Sequence, residues 1–349
     1  MVNSYIFLLS DYCGGGTETV FTQTAQALME KESIVYLFVI NGFDSSKYKV
    51  AEGIKNILSF SELKKICKKK SCNVVNFSGN WKTSFYARRL SRKYISWVHC
   101  NPLTMRTART WFINFYLLKK SSKIVCVCKE QKEILQEQFN FKNEIQVIYN
   151  SVDLKKIESL SKEPLPEYMN KKYILMCARF DFKSKDFFTL IDAYKLLSAE
   201  IKSQYNLVLL GDGADKGTVE TYCKDKKLDS VIFPGYDSNP FKWMKNASCF
   251  VLSSKTEGVS LVPVEAFACG CPTVLTKYHT GSQEISDNGK NAILVEIGNK
   301  EEMSNAINII LTNKELRNKL VSNSSEFIIQ FNIENFQNKI QNLFEIKND

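Results

Sequence analysis

Histidine is almost missing from this chain, with two in 349 residues. A metal centre built on imidazoles therefore has little to draw on. No C-x2-C pair occurs among the eleven cysteines; Cys126 and Cys128, like Cys269 and Cys271, are two apart, which is not zinc-site spacing. Most cysteines lie in apolar runs, where a free thiol packs as a small hydrophobe, so reduced structural cysteines are expected. There is no Asp-x-Asp pair, and no run of eighteen apolar residues, so no spanning helix is expected. The start, Met1-Val-Asn-Ser-Tyr-Ile-Phe-Leu-Leu-Ser-Asp, lacks a basic leader and a small-residue cleavage site. It reads as a first strand rather than an export signal. No internal repeat or low-complexity tract is visible.

Acid is locally scarce as well. Between Lys55 and Lys132 only Glu62 and Glu130 face 18 Lys and Arg, a balance of +16 that leaves −6 for the rest of a +10 chain. The excess gathers at Lys64, Lys65, Lys68, Lys69 and Lys70, then at Lys82, Arg88, Arg89, Arg92 and Lys93. A solvated surface, an anionic-lipid contact and a nucleic-acid patch are the three readings of such charge. Interleaved aromatics (Trp81, Phe85, Tyr86, Tyr94, Trp97, Trp111, Phe112, Phe115, Tyr116) favour the lipid reading. No recognisable nucleic-acid module accompanies the charge.

What is present is a length that suits two domains, with the 44% hydrophobic and 24% charged content of a soluble globular protein. Strand-like runs at 5–9, 34–40, 73–77, 94–99, 123–127 and 145–149 alternate with helical segments at 17–31, 61–70 and 129–139. Alternation of this kind predicts a parallel sheet with crossover helices. A polar stretch from Ser151 to Lys172, with Pro164 and Pro166, reads as a link. The pattern resumes with strands at 173–177, 206–210, 231–233, 249–252, 273–276 and 293–295. Helices are predicted at 186–199, 217–226, 241–246 and about 261–269, with more from Lys300 onward. The last stretch, 333–346, is amphipathic.

Three segments carry chemistry. Ser253-Ser-Lys-Thr-Glu257-Gly-Val-Ser-Leu-Val-Pro-Val-Glu265 leaves a buried strand and opens a helix, with two carboxylates eight residues apart. Unpaired N–H groups at such a helix start attract phosphate. Gly258 lets the backbone approach a ligand. Glu257 on the loop can reach hydroxyls, and Glu265, two turns further on, can hold a second hydroxyl pair, which suits a nucleotide sugar. Asp11-Tyr-Cys-Gly14-Gly15-Gly16-Thr17-Glu18 follows the first strand, but it is not the G-x-G-x-x-G of a dinucleotide site, and Glu18 adds negative charge. His99 ends a strand, at the sheet edge where ligands bind in open α/β folds. A hydrogen-bonded structural histidine is the other reading there, and His279 in its loop is read as structural.

Glu257 to Glu265 resembles the E-x7-E element of the family-4 retaining glycosyltransferases. Ala178-Arg179-Phe-Asp-Phe-Lys-Ser-Lys185-Asp resembles the family's Arg and Lys element for the donor diphosphate. Leu207-Val-Leu-Leu-Gly211-Asp-Gly213 resembles its strand-and-turn element, and Val231-Ile-Phe-Pro-Gly235-Tyr236 the segment leading to the donor-site strand. The likeness is dense from about Tyr173 to Val295.

The resemblance implies a GT-B fold, two Rossmann-like parallel-sheet domains facing a central cleft. It divides the chain into an acceptor domain 1–160, a nucleotide-sugar domain 161–332 and a helix 333–349 crossing back. It places Glu257, Arg179, Lys185 and His99 in catalysis. Gly15, Gly16, Gly258, Val259, Ser260, Leu261, Glu265, Gly211 and Tyr236 fall to donor binding, and Thr17 and Glu18 to the acceptor side. Asp186 stands where the family usually has Gly, which leaves Lys183 as an alternative to Lys185, and Val259-Ser260 replace a common Phe-Gly. Thr280-Gly281-Ser282 stands for a frequent Gly-Gly pair, with Glu284 following.

The implied reaction is metal-independent, retaining transfer of a sugar from a nucleotide diphosphate sugar, UDP-sugar favoured, with no cofactor. The acceptor expected is a lipid-linked glycan of a bacterial envelope polysaccharide, met by a cytoplasmic protein at the inner membrane face through Lys55–Lys132. No nucleic acid is expected. A GT-B-type epimerase or hydrolase, or a non-catalytic basic membrane-binding protein, are the competing readings.

Overall fold

The computed structural model describes residues 3–12, 16–44, 46, 48–69, 72–105, 111–278 and 280–344. The chain forms two α/β units, one of residues 1–151 with 333–349, the other of residues 152–332.

The first unit is a parallel sheet of β1 (Ser4–Leu9), β2 (Ile34–Val39), β3 (Lys55–Asn56), β4 (Cys72–Asn76), β5 (Tyr94–Val98), β6 (Lys123–Cys126) and β7 (Glu144–Val147), in the order β3-β2-β1-β4-β5-β6-β7. All six residues of β1 are buried, as expected of a central strand covered on both faces. The helix Gly16–Met29 covers the sheet together with the last helix, Ile333–Phe344. There Phe344 meets Tyr5 edge-on at 4.9 Å, and Gln337 donates to Glu30 at 3.0 Å.

The second unit holds β8 (Lys172–Cys177), β9 (Tyr205–Leu210), β10 (Val231–Gly235), β11 (Cys249–Leu252), β12 (Thr273–Thr276) and β13 (Ile293–Val295), in the order β10-β9-β8-β11-β12-β13. In each sheet the strand order reverses once, between β1 and β4 and between β8 and β11. Loops leaving the carboxyl ends of those strands diverge there, which opens a crevice for ligands. Arg179 follows β8, Glu257 follows β11, and His99 follows β5, next to the reversal.

Several elements depart from the sequence reading. The polar stretch Ser151–Lys172 is not merely a link: it contains the helix Leu154–Leu160, which Asp153 caps by accepting from Lys156 N at 2.9 Å. The helix expected over 129–139 is α-helical only to Glu133 and continues as a π-helix, Ile134–Gln138. Two helices in the basic, aromatic region, Trp81–Leu90 and Trp111–Lys119, had not been assigned. The helix predicted at 186–199 ends at Leu196, and a second helix, Ala199–Gln204, follows it.

At the end of β9 the backbone turns against the segment carrying Arg179. Ala178 N donates to Leu210 O at 3.0 Å and Phe180 N to Asp212 O at 3.0 Å. A Cβ on Gly211, whose φ is +138°, would lie 2.1 Å from the carbonyl oxygen of Ala178, so only glycine permits this approach. Gly211→Ala is expected to cost about 3 kcal/mol in chemical denaturation. Gly217→Ala, a helical site with open space around it, should be neutral or slightly stabilising. Equal midpoints for the two variants would contradict this packing.

Candidate active site

Two loops of the second unit are joined by their backbones. Lys185 and Ser254 form an antiparallel bridge, flanked by Asp186 N donating to Ser253 O and Lys255 N to Ser184 O, both at 2.8 Å. β12 anchors the second loop, because the Thr276 hydroxyl accepts from Ser254 N at 2.9 Å and donates to Ser254 O at 2.7 Å. Asp186 explains its own departure from glycine. It caps the helix Phe187–Leu196, accepting from Thr189 N at 3.2 Å and from the Thr189 hydroxyl at 2.8 Å.

This arrangement points the Lys185 side chain at Glu257. Lys185 Nζ is ion-paired with Glu257 Oε1, and the Ser254 hydroxyl donates to the same oxygen at 2.7 Å. The side chains of Lys185 and Glu257 are only 11% and 15% exposed, so the charges meet in a partly dehydrated setting. Lys183, by contrast, is exposed, and it is Lys185 that reaches Glu257. Arg179 is exposed at the end of β8 and free to turn toward an anion.

Glu265 sits in the first turn of the helix Val262–Ala268, not two turns along it, because 253–261 is irregular and Leu261 is the N-cap. Pro263 near the helix start removes an N–H that has no intrahelical partner anyway. Burial pushes the Glu265 carboxyl up from an ordinary 4.5 to about 7. Nearby Cys177 is pushed up to about 12, by burial first and by Glu265 second, so it stays a protonated thiol.

The wall of the site is strained. Thr280 holds φ +70°, unusual for a β-branched residue, and its hydroxyl donates to Glu257 O at 3.2 Å. Gly281 follows at φ +96°, where an added Cβ would lie 3.1 Å from Val259 Cγ2. Val259 and Ser260 are buried beneath this turn, whereas Gly258 and Leu261 are half-buried. Tyr236, after β10, is 77% exposed. Ser254 and Thr276 carry no role in the sequence reading, whereas Thr280 lies in the segment that stands at the family's Gly-Gly pair. The hydroxyls right after β11 are the available signal for Ser254, and Thr276 depends on tertiary contacts.

In the first unit His99 lies against Phe77 and stacks on Trp97, with ring centroids 4.7 and 5.9 Å away. Burial holds its imidazole far below the usual range, at about 3, so it is neutral at physiological pH. Its buried Nε2 has no hydrogen-bond partner among the described residues. Gly16 begins the helix Gly16–Met29, with Thr17 and Glu18 half-buried in its first turn. Gly15 and His279 lie outside the described residues.

Two parallel-sheet α/β units, each with one reversal of strand order, define a GT-B architecture. The chain belongs to the family-4 GT-B glycosyltransferases: the model described as Glycosyltransferase Family 4 matches residues 14–156, and that described as Glycosyl transferases group 1 matches residues 158–327. A Campylobacter jejuni relative, N-acetylgalactosamine-N,N'-diacetylbacillosaminyl-diphospho-undecaprenol 4-alpha-N-acetylgalactosaminyltransferase, is 31% identical over 59% of this chain and 55% of its own length. The Rhizobium meliloti lipopolysaccharide core biosynthesis glycosyltransferase LpsE is 29% identical over 54% of each chain. The matched stretch thus spans about half the length of these curated relatives. The crystal structure of Anabaena HepE in complex with UDP superposes with a TM-score of 0.83 at 18% identity, over 97% of this chain and 99% of that one.

The raised Glu265 carboxyl has a stability consequence. Ionising it is disfavoured in the folded chain and not in the unfolded chain, so the fold loses stability as pH rises from about 4.5 to about 7, with no further loss above. Glu265→Gln should therefore raise the melting temperature at pH 8, by up to about 3 kcal/mol in stability, and leave it unchanged near pH 4.5. A pH-independent difference between the two proteins would contradict this assignment.

Proposed function

We propose that this chain is a retaining, metal-independent glycosyltransferase that moves a sugar from a nucleotide diphosphate sugar, UDP-sugar favoured, to an acceptor hydroxyl. The observation that carries the reading is the partly buried Lys185–Glu257 pair, fixed by Ser254 at the carboxyl ends of β8 and β11. A diphosphate arriving beside Lys185 competes with Glu257 for the ammonium. Glu257 is then released to accept from hydroxyls of the donor sugar, so donor binding completes the site.

Arg179 supplies a mobile guanidinium fork for the same phosphates, which gain charge as the sugar–oxygen bond breaks. Cations that strengthen their hold as that charge grows lower the barrier without a metal. Glu265, its carboxyl raised to about 7 by burial, serves as a hydrogen-bonding partner for the ribose diol. Gly211, Gly258 and the Val259–Leu261 wall shape the donor side of the second unit, Tyr236 offers a ring to the base, and Gly16 is assigned to donor binding by the family resemblance alone. Thr17 and Glu18 face the acceptor. His99, neutral and with Nε2 unpartnered, can hydrogen-bond the transferred sugar. The acceptor hydroxyl attacks on the face the leaving phosphate occupies, with the phosphate taking its proton, so no protein nucleophile is required.

The named activities of the Campylobacter and Rhizobium relatives support a lipid-linked glycan acceptor in envelope polysaccharide synthesis. The UDP complex of HepE supports a uridine donor. The basic region Lys55–Lys132 supports a peripheral position on the cytoplasmic face of an anionic membrane.

Glu257→Gln keeps an amide that can still bond Ser254 but removes the charge. It is expected to lower kcat/KM at least about 100-fold at a temperature where the variant is still folded, and to lower the melting temperature because the Lys185 ammonium loses its partner. Full activity in that variant would remove Glu257 from the site. Transfer should proceed at the same rate in excess EDTA; a loss restored by added magnesium or manganese would overturn metal independence. Donor consumption at full rate without any acceptor would favour an epimerase or hydrolase instead.

A further inference from the structure

The helix Trp111–Lys119, sequence WFINFYLLK, has no polar face, yet the described residues cover only one side of it. Phe115 and Leu118 are buried in a core cluster with Val98, Ile124 and Leu135. On the outer side Phe112 is 70% exposed, Ile113 48% and Tyr116 59%, and Phe85 of the helix Trp81–Leu90 joins them at 44%. With Arg88, Arg89 and Leu117 these residues line an open, apolar cavity of about 590 Å³. A helix that is apolar all round is normally buried all round, and an exposed cluster of large apolar side chains marks a contact surface.

The rim of this surface is cationic. Arg88 and Arg89 are exposed. The Arg89 guanidinium lies over the Phe85 ring at 5.5 Å, and Lys120 Nζ lies over the Tyr116 ring at 5.3 Å. No Asp or Glu occurs from Leu63 to Lys129, so neither helix offers the rim a counter-charge. Large apolar side chains at the centre and cations at the edge suit the boundary between lipid headgroups and acyl chains. A nucleic-acid backbone has no use for Ile113 and Phe112 at the middle of the patch.

We propose that this face docks on an anionic lipid bilayer. Phe85, Phe112, Ile113 and Tyr116 enter the headgroup–acyl boundary, and Arg88, Arg89 and Lys120 meet lipid phosphates. The proposal rests on the membrane-surface reading above and deepens it by placing lipid contact on two helices rather than on the whole basic region. No helix among the described residues is long and apolar enough to cross a membrane, so contact here is interfacial.

The test is flotation of the full chain with phosphatidylcholine vesicles, with and without phosphatidylglycerol, at low and high salt. Wild type should float with the phosphatidylglycerol vesicles and be partly released by salt. Phe112→Ser with Ile113→Ser should weaken flotation about tenfold or more, while melting temperature and UDP binding stay at wild-type values. Phe112→Trp should retain binding, and Arg88→Gln with Arg89→Gln should abolish the preference for anionic lipid. Failure of the wild type to float would overturn the membrane reading as a whole. Flotation of wild type and the double serine variant to the same extent would overturn only the placement, leaving diffuse charge as the cause.

Discussion

The pairing of Lys185 with Glu257 is the interaction around which the second unit is organised. Neither residue lies in regular structure, yet both are fixed, because their loops exchange backbone hydrogen bonds across the Lys185–Ser254 bridge. Partly buried charges need partners, and removing one leaves the other unsatisfied at a cost of about 3 kcal/mol or more. The Ser254 hydroxyl and the Thr276 anchor hold the carboxylate side in register. Such a pair is internally neutralised, and on the proposed reading a donor diphosphate offers Lys185 a second partner.

The surrounding backbone shows how tightly that register is held. Gly211 allows the β9 turn to press on Ala178, immediately before Arg179. On the other side, Thr280 adopts a left-handed conformation to place its hydroxyl on the Glu257 carbonyl. Close approach at one wall and strain at the other are what a loop site needs when its ligands must be placed to within a fraction of an ångström. The first unit repeats the scheme in gentler form, with His99 positioned by packing against Phe77 and Trp97 rather than by charge.

Much of this was legible in the sequence because parallel strands covered on both faces read as unbroken apolar runs. β1 and β11 are such runs, and the residues after β8 and β11 could be placed at a sheet edge from the order of segments alone. Legibility failed where a helix lacks polar–apolar periodicity. Trp111–Lys119 has no polar face to reveal its turn, and Trp81–Leu90 mixes aromatics with arginines on its exposed side. The Leu154–Leu160 helix was hidden by polar composition, although Asp153 is an ordinary N-cap signal. Spacing likewise showed two carboxylates eight apart but not their environments. Glu257 is paired by tertiary contact, and Glu265 is shifted by burial, neither of which a one-dimensional pattern encodes.

The most direct test of this account is calorimetric comparison of UDP and uridine binding to wild type and to Lys185→Gln. If Lys185 exists to exchange Glu257 for a diphosphate, the substitution should weaken UDP at least about thirtyfold and leave uridine nearly unchanged, since charge-assisted bonds to phosphate contribute about 2 kcal/mol or more. Equal losses for the two ligands, or unchanged UDP affinity, would show that the pair is scaffolding and that the donor phosphates bind elsewhere.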